Sequence, residues 1–131
     1  MKKVLITLTA FALILFSCKK GKDDFSRLIL GNWKLTQISD TTGNLHNTTD
    51  TLFANFEKDT IRTTYYAPPP LGHFTSLTHY TISNSVLTVD SPSFFTVFFS
   101  GSPQYDILLL SASKLDIKAQ KKLRTEVVFE R

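Results

Sequence analysis

From residue 32 onward the chain alternates apolar and polar residues in short runs, and almost no stretch repeats with helical spacing. Val, Ile, Thr, Tyr and Phe fill the runs, while Gly, Pro, Asn, Asp and Ser gather between them, as in short strands separated by turns. The pattern predicts nine strands, at 32–38, 51–57, 60–66, 74–82, 86–90, 94–99, 105–110, 114–119 and 123–131, with a single helical turn at 25–30. Glu57-Lys58-Asp59 and Asn84-Ser85 suit tight hairpin connections. Strands joined in this way predict an all-β fold, an antiparallel meander or an up-and-down barrel of about eight strands.

The last strand alternates most clearly. Leu123, Thr125, Val127 and Phe129 share one face, and Arg124, Glu126 and Glu130 mark the other, with Val128 an exception. Arg131 falls on the apolar face, where a charge needs a partner. In the first strand Trp33 and Leu35 share a face opposite Asn32 and Lys34. A closed barrel of even strand number pairs its first and last strands antiparallel, which brings Arg131 to Trp33. A guanidinium over an indole contributes about 0.5–2 kcal/mol.

The run Phe94-Phe95-Thr96-Val97-Phe98-Phe99 is apolar on both strand faces. Read as a strand, it turns Phe94, Thr96 and Phe98 inward and Phe95, Val97 and Phe99 outward. The outer set then needs a covering loop or a partner. Two polar or stiff segments stand out as loops. One is 39–50, rich in Thr and Asn; the other is Ala67-Pro68-Pro69-Pro70-Leu71-Gly72, flanked by Tyr65, Tyr66, His73 and Phe74 as an aromatic rim.

The first two dozen residues have a different character. Met1-Lys2-Lys3 precedes a mostly apolar run at 4–16, within the length of a secretory h-region and short for a membrane span. Leu15-Phe16-Ser17-Cys18 follows and resembles the lipobox of bacterial lipoproteins, with the only cysteine of the chain as the first mature residue. Its thiolate would accept a diacylglycerol, and two or three acyl chains, at about 0.8 kcal/mol per methylene, anchor a protein permanently. The sequence therefore divides into a signal peptide at 1–17, a lipidated Cys18 with a polar tether to residue 24, and a barrel domain at 25–131.

Charge adds little to this division. The net charge of +4 collects around the signal and tether, and from Phe25 onward ten Lys and Arg face nine Asp and Glu. No basic face suits a nucleic acid. Lys22-Asp23-Asp24 resembles the export signal that carries lipoproteins of Bacteroidota to the outer face of the outer membrane, so surface display is expected ahead of a periplasm-facing anchor. Asp40-Thr41-Thr42, Asp50-Thr51-Leu52 and Asp59-Thr60-Ile61 each resemble the O-glycosylation acceptor of that phylum. The same triplets also suit an Asp that opens a turn before a Thr that starts a strand.

Gly31-x-Trp33 opening an all-β chain, with Arg131 at its other end, resembles the lipocalins, and especially the short lipocalin-like lipoproteins of Bacteroidota. The resemblance covers about 28–131. It implies a barrel closed at one end by Gly31, Trp33 and Arg131, around an apolar site for a small hydrophobic or amphipathic ligand. Inward ligand-binding candidates are Phe56, Tyr65, Tyr80, Phe98 and Phe129. The other reading is a filled barrel that binds an envelope protein or glycan through the 68–70 loop and the outer Phe95 and Phe99. His46, His73 and His79 form no metal-type cluster, and no nucleophile or phosphate-cradling motif is present, so no catalysis, metal or cofactor is expected.

Overall fold

The computed structural model describes residues 24–99, 101–120 and 125–131. The signal peptide, Cys18 and most of the tether lie outside the described residues.

Helix α1 (Asp24–Leu28) leads through Ile29 and Leu30 into β1 (Gly31–Ser39). There follow β2 (Leu45–Asn47), β3 (Thr51–Phe56), β4 (Thr60–Tyr66), β5 (His73–Ser83) and β6 (Val86–Val89). A second helix, α2 (Phe94–Phe98), precedes β7 (Gln104–Leu110), β8 (Lys114–Ala119) and β9 (Glu126–Glu130). Each strand from β3 to β8 pairs antiparallel with the next, and β1 pairs with both β3 and β9. Eight strands thus close into an antiparallel up-and-down barrel, with β2 a short extra strand on the far end of β1. β1 serves three neighbours by dividing its length. Residues 31–34 face β3, 34–38 face β9 across an irregularity at Thr36, and 37–39 face β2.

The core is the barrel interior. Strand alternation sends Trp33, Leu35, Leu52, Ala54, Phe56, Ile61, Tyr80, Leu87, Val89, Tyr105, Leu115, Ile117, Val127 and Phe129 into one buried cluster. Turns at 57–59, 84–85 and 111–113 mark the end where β1 begins and β9 finishes. The 40–50 loop, the proline loop and α2 mark the opposite end.

Two expectations need correction. The strand expected at 94–99 is α2, and the β2 hairpin arm lies in what reads as loop. Ser93 explains the helix. Its Oγ accepts from the Thr96 amide (3.2 Å), and the Thr96 Oγ1 accepts from the Ser93 amide (2.9 Å), a reciprocal cap that starts a turn. The register of faces then follows helical rather than strand spacing. Phe95, Thr96 and Phe99 are buried, Phe94 and Phe98 are half-buried, and Val97 is 69% exposed. Phe95 and Phe99 therefore form core and not the outer surface assigned to them, and Thr96 does not share their opposite face. Short β6 makes room for this. It pairs with β5 only over Tyr80–Ser83, and α2 contacts β5 as well.

Candidate functional site

At the end where β1 begins, the chain seals the barrel with its own groups. Ile29 and Trp33 are fully buried, and the indole Nε1 donates to the Ile29 carbonyl at 2.6 Å. The Arg131 guanidinium carbon stands 4.1 Å from the centre of the Trp33 ring. Its Nη2 donates to the carbonyls of Leu28 (2.7 Å) and Leu30. Gly31 has φ +116°, and a Cβ there would lie 3.6 Å from that same Nη2. Backbone strain, more than space, restricts the position to glycine. The three residues of the Gly-x-Trp and arginine pattern thus meet in one cluster; strand pairing brings Arg131 to Trp33, and Gly31 belongs to the resemblance.

Above this seal, Phe56, Tyr80 and Phe129 stand deep in the core. Phe56 meets Tyr80 edge-on at 5.4 Å, and Phe95 stacks near Phe129 at 6.4 Å. The Tyr80 hydroxyl donates to the Glu57 carbonyl at 2.6 Å, and burial, with Asp59 nearby, raises its pKa. Tyr105, also interior, donates to the Phe99 carbonyl at 3.3 Å, and burial pushes its phenol well above the usual range. Phe95 and Phe99, delivered by α2, complete this layer with edge contacts to Phe56, Tyr105 and Phe129. The deep interior is filled by side chains.

The mouth at the other end differs. Tyr65 packs against Phe94 (6.2 Å) and Phe98 (5.6 Å), and all three are only half-buried. Phe74, opposite Tyr65 in the β4–β5 register, is 50% exposed. The Tyr65 hydroxyl reaches Asp50 at 3.4 Å on the rim. The expected rim divides by alternation. Tyr65 and Phe74 face inward, whereas Tyr66 and His73 pair at 5.7 Å on the outer wall. Of the five ligand candidates, Tyr65 and Phe98 therefore meet at the mouth, and Phe56, Tyr80 and Phe129 lie beneath the α2 aromatics. Sequence reasoning turned Phe94 inward with Phe98 but left it out of the ligand candidates, and it missed the helix that brings the two rings together. The Ser93-x-x-Thr96 spacing after Ser91-Pro92 is the signal that would have found it.

The outer wall carries a groove of about 350 Å³ lined by Asn32, Phe53, Asn55, Arg62, Thr64 and Tyr66. Phe53 and Tyr66 meet edge-on there at 6.0 Å. Among the described residues no set of three or more His, Cys, Asp and Glu could hold a metal ion. No helix among them is long and apolar enough to cross a membrane. Asp40 accepts from the Thr42 hydroxyl (2.6 Å) and amide (2.8 Å) and from the Asn44 amide (3.0 Å), and it meets His46 at 2.8 Å. These bonds hold its carboxyl well below the usual range, led by the Thr42 hydroxyl and then His46. Thr51 and Thr60 open β3 and β4.

No protein-family model and no curated protein matches the chain. Solved structures do. A lipocalin-like protein from Bacteroides uniformis matches with a TM-score of 0.63 at 18% identity, over 79% of this chain and 98% of that one. An uncharacterized protein from Bacteroides eggerthii matches with a TM-score of 0.56 at 16% identity, over 78% and 98%. Japanin from Rhipicephalus appendiculatus, solved bound to cholesterol, gives 0.50 at 12% identity, over 76% and 73%. The likeness is one of fold: the barrel is lipocalin-like.

Proposed function

We propose that this lipocalin-like chain is an envelope lipoprotein, cut before Cys18 and tethered by acyl chains on it. At the mouth of its barrel it binds a small apolar or amphipathic ligand. The observation that carries the reading is the half-buried aromatic group of Tyr65, Phe94 and Phe98. These rings are only half-buried, while Trp33 and Arg131 plug the opposite end. Phe95 and Phe99 fill the deep interior, so the ligand occupies the upper layer between α2 and the inner faces of β4 and β5. Binding comes from burying ligand surface against these rings, at about 25 cal/mol per Å² before the costs of association. The cholesterol held by japanin shows that the fold admits such a ligand in another protein. Tyr80 and Phe129 support the site from beneath, and no covalent chemistry is required. Surface display follows from the tether motif Lys22-Asp23-Asp24.

The test is to purify the full chain from a Bacteroidota host and identify small molecules that copurify in stoichiometric amount. The reading expects a species of defined mass that is depleted by Phe98→Ala. A chain that carries nothing in several growth conditions would count against it. Radiolabelled fatty acid should mark the wild-type chain and leave Cys18→Ala unlabelled.

A second reading has its own observation. The outer groove sets Asn32, Asn55 and Arg62 beside the rings of Phe53 and Tyr66, a mixture of hydrogen-bonding groups and aromatic faces that suits a glycan. Arg62→Ala would abolish binding to an envelope glycan on this reading and leave the mouth ligand in place.

A further inference from the structure

Two hydroxyls in the barrel wall have no partner. The Thr63 Oγ1 and the Ser76 Oγ are both buried without a hydrogen bond. They belong to residues directly opposite each other in the β4–β5 register. Ala54 stands opposite Thr63 on the other side, in β3. Three small inward side chains therefore lie in a row across three strands. The row above them is Leu52, Tyr65 and Phe74, and the row below runs from Phe56 to Ile61. The side chains of this row, which Trp33 continues in β1, are shorter at β3, β4 and β5 than those of the rows beside it, so both hydroxyls sit back in the wall one layer below the mouth. A buried hydroxyl without a partner is destabilising, so two side by side call for a polar atom from outside the chain.

The surroundings decide which polar atom fits. No charged residue is fully buried among the described residues. On the rim, Asp50 accepts from the Tyr65 hydroxyl. A carboxylate brought to the two wall hydroxyls would lose its water and, among the described residues, meet no buried cation. A hydroxyl, by contrast, can donate to one of the two side-chain oxygens and accept from the other. We infer that Thr63 and Ser76 form a polar hook that selects a neutral apolar ligand carrying a hydroxyl, in preference to a fatty acid. This rests on the mouth-ligand reading above and names the headgroup for the same site.

The experiment is equilibrium dialysis of the full chain in lipid nanodiscs against radiolabelled dodecanol, dodecanoate and dodecane, with empty nanodiscs to subtract partitioning. Wild type should bind dodecanol roughly tenfold or more tighter than either dodecanoate or dodecane, the yield of one good hydrogen bond. Thr63→Val with Ser76→Ala should erase that preference, because both changes keep shape and remove only the hydroxyls. Circular dichroism should show the double variant folded, with a melting temperature equal to or above that of wild type. Phe98→Ala should weaken all three probes alike. If the alcohol and the acid bind equally, or the double variant keeps the preference, the hook is wrong and the mouth site stands, the two hydroxyls then being served by water alone. If no probe binds wild type, the mouth site fails and the hook with it.

Discussion

The two ends of the barrel are built from similar aromatic material and finished differently. At the sealed end the chain supplies its own acceptors: the Trp33 indole donates to Ile29, and the Arg131 guanidinium to Leu28 and Leu30. At the mouth, rings are left half-exposed and two hydroxyls are left bare. A protein under selection for stability alone would finish both ends alike. The contrast separates the part of the barrel that holds itself together from the part that keeps capacity for something else.

The largest effect should come from breaking the seal. Trp33→Ala removes the biggest fully buried side chain together with its hydrogen bond, and should cost about 3–5 kcal/mol in urea unfolding. Arg131→Met keeps length but deletes two carbonyl contacts and the cation over the ring. Because the guanidinium is exposed, the loss should be about 1–2 kcal/mol, read as a lowered denaturation midpoint with an unchanged slope. Phe98→Ala at the mouth should cost only about 1 kcal/mol of stability, since the ring is half-buried, while it removes most ligand affinity. If instead Phe98→Ala matched Trp33→Ala in the melt, the two ends would be equivalent and the contrast would collapse.

The smallest effect tests whether an unpartnered oxygen alone marks a binding region. Asp116 on β8 also has a buried carboxylate oxygen without a partner. Burial, with Glu126 nearby, raises its pKa. A carboxyl whose folded pKa exceeds its unfolded value favours the fold while protonated, and that contribution is lost as pH rises through the folded pKa. Asp116→Asn should therefore raise the melting temperature slightly at pH 7, and the gain should shrink below about pH 4, near the ordinary Asp value. Ligand binding at the mouth should not change.

The sealed end was legible in the sequence because its parts follow from strand alternation at the two ends of one chain. Trp33 and Leu35 inward in β1 and Phe129 inward in β9 need only period-two counting and barrel closure. The mouth was less legible because α2 is written in strand-favouring residues. Phe94 to Phe99 alternates as well as any strand, and only the local cap at Ser93 and Thr96 sets it to helical spacing. Tertiary context completes the reversal, since short β6 leaves the inner face of β5 for a helix to cover. The Thr63 and Ser76 pair was invisible for another reason. Thr and Ser are ordinary strand residues, and only the register between β4 and β5 places their hydroxyls together.

The three-way sharing of β1 has a consequence for the order of assembly. β1 and β9 meet across nearly the whole sequence, and Arg131 finds the Leu28 carbonyl 103 positions away. A chain delivered from its N-terminus can build β3 to β8 as a growing meander, but β1 and β8 keep bare edges until β9 arrives. Such edges invite pairing with other chains, and contacts so distant in sequence form slowly. The final strand therefore acts as a latch, and loss of β9 would leave an open sheet prone to join its neighbours.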